Sequence, residues 1–102
     1  MLAEFSVSPV GSGGHMGKEV AKAVKVVKES GLDYQLTALG TLVEGDGNKV
    51  INVIVKAHEA VLKSNERVYT RIVLDEFRKE STGRIRSKVA TIERELGAPL
   101  KK

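Results

Sequence analysis

The chain contains no cysteine and no tryptophan, and only 2 prolines, 2 phenylalanines and 2 tyrosines among its 102 residues. Without cysteine there is no disulfide framework, no thiol nucleophile and no thiolate metal site. No apolar run approaches the roughly 18 residues that a membrane span requires. Residues 1–10 lack the basic segment and apolar block of a secretory signal, so a cytoplasmic protein is expected. The only histidines, His15 and His58, have no metal-ligand spacing, and neither metal nor cofactor is expected. What is present is a hydrophobic share of 41% with 29% charged residues, too apolar for a disordered chain. A length of 102 residues predicts a single domain over residues 1–102. A domain this short buries only roughly 60–70% of its unfolded surface, and oligomerisation is a natural way to bury more.

Period-two and period-3.6 patterns alternate along the chain. Residues 2–9 (LAEFSVSP) read as a half-buried strand, with Ala3, Phe5 and Val7 on one side and Glu4, Ser6 and Ser8 on the other. A glycine-rich turn at 11–14 precedes a helix over 16–30, whose stripe is Val20, Ala23, Val24 and Val27. Residues 33–44 return to strand character, and Gly40 divides them into a hairpin. The loop 45–48 can cap a helix over 49–63 carrying Val50, Ile54, Ala57 and Val61. Residues 67–76 are the most strand-like stretch, and residues 84–96 form a last helix ended by Gly97 and Pro99.

The order β-α-β-β-α-β-α suits an α+β fold: a ferredoxin-like βαββαβ antiparallel sheet with helices on one face and an extra C-terminal helix. The helix-covered face would take Ala3, Phe5, Val7, Tyr34, Leu36, Val68 and Ile72. The other would display Glu4, Ser6, Ser8, Gln35, Thr37, Tyr69, Arg71 and Asp75, a polar face covered by water or by a ligand and a second subunit.

Several chemical motifs fail on inspection. The turn GSGGHMG at 11–17 stands where a dinucleotide fingerprint would, but Met16 occupies the third glycine position and no acidic residue ends the second strand. No Gly-Lys-Ser/Thr follows, so only a weaker anion site at the helix N-terminus stays open. Glu44 and Asp75 both end strands; such a pair serves catalysis in some proteins and binding or a salt bridge more commonly. RNA recognition on this fold needs aromatics on the open sheet face, and residues 67–74 (RVYTRIVL) offer only Tyr69 there.

The stretch 34–45, YQLTALGTLVEG, resembles the YQLTPMGTxxEG signature of the thiamine-binding, UPF0045 (DUF77, MTH1187/YkoF-like) family. Glu4-Phe5-Ser6-Val7, Pro9, Gly11, Gly31-Leu32, Arg67-Val68, Asp75 and Lys88-Val89 extend the resemblance over nearly the whole chain. Three places depart from it: Ala38-Leu39 replaces Pro-Met, Phe77 stands where arginine is common, and His15-Met16-Gly17 replaces a serine-containing turn. The resemblance implies a ferredoxin-like fold, dimers pairing into tetramers, no catalysis, and binding of thiamine or its hydroxymethylpyrimidine part.

An aminopyrimidine presents neighbouring donors and acceptors on a flat ring, and wants hydroxyls, a carboxylate and backbone groups in a largely dry pocket. Ser6, Thr37, Thr41 and Glu44 offer that set, Gly40 would let the backbone approach the ring, and Asp75 and Arg67 are weaker candidates. The expected site is a subunit-interface pocket on the polar sheet face. Three other readings stand beside it: an assembly or regulatory module without a small ligand, an enzyme using Glu44 or Asp75 as a base, and nucleic-acid binding through basic residues. The net charge of +4 bears on the last: residues 1–77 carry −1 and residues 78–102 carry +5. The basic excess therefore sits on and around the last helix, expected to be a solvated face, so neither a nucleic-acid nor a membrane partner is expected.

Overall fold

The computed structural model describes residues 1–11 and 16–102. Its elements are β1 (Leu2–Pro9), α1 (Gly17–Glu29), β2 (Asp33–Leu36), β3 (Thr41–Glu44), α2 (Gly47–Leu62), β4 (Val68–Asp75) and α3 (Arg84–Leu96). Together they make an α+β fold built on a four-stranded sheet in the order β2-β3-β1-β4, with every neighbouring pair antiparallel. The glycine-rich turn expected at 11–14 lies largely outside the described residues, as does His15.

The alternation in β1 sets the two faces. Ala3, Phe5 and Val7 are buried and join Ala23 and Val27 of α1, Val43 of β3, and Val50, Ile54, Ala57 and Val61 of α2 in one core. In antiparallel pairs facing residues share a side, so the register Ala3↔Val43 and Phe5↔Thr41 puts Thr41 and Val43 on this side as well. α2 starts where Asp46 accepts from the backbone N–H of Lys49 at 3.4 Å, an ordinary N-cap. The core does not reach the strands at the sheet edges. Leu36 and Ile72, expected inside, are 56% and 45% exposed, because β2 and β4 lie beyond the width that two helices cover.

The third helix lies on the opposite face. Leu42 and Glu44 alternate with Thr41 and Val43 and point away from α1 and α2; it is Glu44 that meets the start of α3. No described helix is long and apolar enough to cross a membrane.

Candidate functional site

Four of the seven expected site residues meet in one place. Ser6 of β1, Thr37 and Gly40 of the β2–β3 turn, and Thr41 of β3 line a cleft of about 180 Å³. Its other wall is α1, which contributes Val20, Ala23 and Val24, with Met16 just before it. The cleft thus opens at the end of the helix-covered side, between α1 and the hairpin, not on the polar sheet face. Val20 and Val24 were readable only as core stripe; their i, i+4 spacing is the signal, but not that the stripe borders a cavity.

The hairpin is held by its own polar groups. Thr37 Oγ1 donates to the Gly40 carbonyl at 2.9 Å and accepts from the backbone N–H groups of Leu39 and Gly40 at 3.3 and 3.1 Å. Thr37 N–H also donates to the Gly40 carbonyl, at 2.8 Å. The Thr37 hydroxyl therefore shapes the turn and sets the rim of the cleft. Gly40 packs against β1 so tightly that a Cβ there would lie 2.8 Å from the Phe5 carbonyl oxygen. No larger residue lets the hairpin close over β1 in this way. At the tip, Leu39 is 89% exposed and overhangs the rim.

Glu44 and Asp75 do other work. Glu44 is only 3% exposed. Its carboxylate accepts from Arg84 N–H at 2.9 and 3.0 Å and from Ile85 N–H at 3.3 Å, the first backbone donors of α3. Gly83, which precedes the helix, has no side chain to cap it, so a carboxylate from another strand supplies the acceptor and the negative charge that a helix N-terminus favours. Asp75 accepts from Arg84 Nη2 at 3.0 Å and from Lys88 Nζ at 3.2 Å. The Arg84 guanidinium, then Lys88, holds its carboxyl below the usual aspartate range. Arg84 also donates to the Asp75 carbonyl and lies 6.0 Å from the centre of the Phe77 ring, within cation–π range. Arg86 forms a two-pronged pair with Asp33 of β2, at 2.6 and 3.1 Å, which lowers the Asp33 pKa and raises that of Arg86.

α3 is largely exposed, as expected of a solvated basic helix, but it is also anchored. Arg84, Arg86 and Lys88 tie α3 to the sheet. Glu44 and Asp75, expected as ligand contacts, are both engaged by α3, and neither is among the residues lining this cleft. Arg67 stands apart as well. It is exposed, and its carbonyl accepts from Val10 N–H at 2.9 Å. His58 places Nδ1 2.7 Å from Thr70 Oγ1, linking α2 to β4. Among the described residues no three His, Asp or Glu side chains converge as a metal site would require.

Comparison with known proteins places this four-stranded antiparallel sheet, with two helices on one side, in a family. The family model described as thiamine-binding protein matches residues 3–93, and the chain belongs to that family. A UPF0045 protein of Mycobacterium bovis is 41% identical over 100 residues, covering 97% of each chain. A UPF0045 protein of Methanocaldococcus jannaschii is 35% identical over 92 residues, covering 90% of this chain and 91% of its own. The crystal structure of that archaeal protein superposes with a TM-score of 0.77 over 94% of both chains. A candidate thiamine biosynthesis/salvage protein of Thermotoga maritima shares the fold at a TM-score of 0.77, over 89% of this chain and 96% of its own, with 16% identity.

Proposed function

We propose that the protein is a non-catalytic, cytoplasmic binding protein for thiamine or its hydroxymethylpyrimidine moiety, assembled as a dimer or tetramer. The strand order β2-β3-β1-β4, with α1 and α2 on one face, supports reading the fold as the ferredoxin-like split βαβ sheet. The observation that carries the ligand is the cleft. The hydroxyl-bearing Thr41 stands among the apolar walls of Phe5, Val20 and Val24, with Ser6 at the margin, the mixture a flat heteroaromatic ring needs. No Asp or Glu is among the described residues that line it, so a neutral pyrimidine fits it better than a thiazolium cation. The same absence, with Glu44 and Asp75 committed to α3, supports binding over acid–base catalysis.

Isothermal titration with hydroxymethylpyrimidine, and separately with thiamine, tests the reading. Binding is expected with both, tighter for the pyrimidine alone, and Thr41→Val is expected to weaken it by about tenfold, the loss of one hydrogen bond of about 1.4 kcal/mol. No heat with either ligand at millimolar concentration, or binding unchanged in Thr41→Val, would count against the cleft.

A further inference from the structure

The cleft opens where one ladder of the sheet stops. β1 pairs with β4 from Leu2 to Pro9, but with β3 only from Leu2 to Phe5. In an antiparallel ladder, alternate residues turn both their N–H and their C=O to the same neighbouring strand. The two ends of β1 show which residues turn which way. Met1 donates to the Gly45 carbonyl at 2.9 Å and accepts from Gly45 N–H at 3.1 Å, in register with β3. Val10 N–H donates to the Arg67 carbonyl at 2.9 Å, in register with β4. Odd-numbered residues of β1 therefore address β3, and even-numbered ones address β4. Val7 is the first odd-numbered residue past the end of the β3 ladder. The register would set Leu39 opposite it, but Leu39 has turned into the hairpin tip, where its N–H bonds to Thr37 Oγ1. No described residue takes up the Val7 N–H or C=O. The next odd-numbered residue is Pro9, which has no N–H to leave unpaired and suits a strand edge.

We infer that the main chain of Val7 selects the ligand of the cleft: a flat ring whose edge carries a hydrogen-bond acceptor beside a donor completes the ladder that β3 leaves open. The inference rests on the cleft being the ligand site proposed above, and it names the chemistry that fills it. Val7 lines the cleft while its side chain is buried in the core, so the strand is held firmly at this point. A buried N–H or C=O without a partner costs free energy comparable to a lost hydrogen bond. A ligand that pairs with both groups recovers that cost. The cleft, at about 180 Å³, is smaller than the roughly 300–1,000 Å³ of sites for drug-sized ligands, which limits the occupant to a small ring. The side chains around it discriminate less. Thr37 Oγ1 is committed to the turn, and no Asp or Glu is among the described residues lining the cleft. A hydroxyl rotates to donate or accept, whereas a main-chain N–H beside a C=O fixes the order of donor and acceptor. An aminopyrimidine with its amino group next to a ring nitrogen has the matching edge. The ring nitrogen accepts from Val7 N–H, and the amino group donates to the Val7 carbonyl.

Amide hydrogen exchange, read by NMR on the unaltered chain, tests this residue by residue. In the free protein the Val7 N–H is expected to exchange about tenfold faster, or more, than the laddered N–H groups of Ala3 and Phe5. The probes are hydroxymethylpyrimidine, its analogue with hydrogen in place of the amino group, and 2-pyridone, whose ring N–H stands beside a carbonyl. Saturating hydroxymethylpyrimidine is expected to slow Val7 to the level of Phe5, and the analogue without the amino group to bind about tenfold more weakly. A Val7 N–H already as protected as that of Phe5 in the free protein overturns the inference. Hydroxymethylpyrimidine that binds without slowing Val7, or no more tightly than the analogue, overturns it too, while the proposed function stands. Protection of Val7 by 2-pyridone, with neither pyrimidine bound, overturns the proposed function and keeps the main-chain recognition. No binding by any of the three overturns both.

Discussion

Glu44 shows how far one side chain can change meaning between sequence and fold. In the chain it closes a strand beside a glycine and reads as a polar contact for a ligand. In the structure it is buried and takes the first N–H groups of a helix forty residues further on. Removing it leaves buried donors without an acceptor, which costs about 1–3 kcal/mol per group. Glu44→Ala is therefore expected to destabilise the fold by about 2 kcal/mol in urea unfolding, while ligand affinity at the cleft stays unchanged. Affinity lost in parallel with stability would place Glu44 back in the binding site. Gly40 is the opposite case. Its place in a hairpin turn was readable from the sequence, and the 2.8 Å approach of a Cβ to the Phe5 carbonyl, visible only in the fold, adds the physical reason.

Among the helices, α3 depends least on apolar packing. Only Arg84 and Ile85 of it are buried, and Ile92 and Leu96 stay exposed. Its attachment is polar: Glu44 at its first turn, Asp75 to Arg84 and Lys88, Asp33 to Arg86. Asp33 and Asp75 both have pKa values lowered in the folded state by these cations. Their contribution is thus complete above the ordinary aspartate range and is lost as pH falls through their lowered folded values. α3 is expected to come away from the sheet in acid before the core unfolds. Amide NMR signals of residues 84–96 should then shift at a higher pH than those of β1, and Asp75→Asn should loosen the same signals at neutral pH. Simultaneous loss of both sets would mean that α3 is integral to the core. The spans of β1 and α3 follow from pattern alone, since 2–9 and 84–96 are bounded by clear turn signals. The destination of α3 does not, because an amphipathic stripe states that a helix has an inner side and not which surface receives it.

For the molecule as a whole, the small core makes the free edge matter. Among the described residues, eleven side chains from β1, β3, α1 and α2 form the main cluster, and β4 stays half covered. The proposed self-association would couple folding to association, and the melting temperature should then rise with protein concentration. A melting temperature independent of concentration in the unaltered chain would show that association adds nothing to stability. The charge distribution has a local meaning at this level too: half of the eight cations beyond residue 77 lie on α3, and three of these bond to the sheet.

The chain's own pattern was enough for the element order, the inward faces of β1, α1 and α2, and the hairpin around Gly40, because each rests on contacts between near neighbours or on a strict period. The family signature at 34–45 was likewise present in the linear text. The fold alone assigned Ser6 and Thr41 to a cleft walled by α1, Glu44 and Asp75 to α3, and β4 to an open edge. Those assignments depend on which surfaces meet across forty or more residues, and a local period carries no record of that.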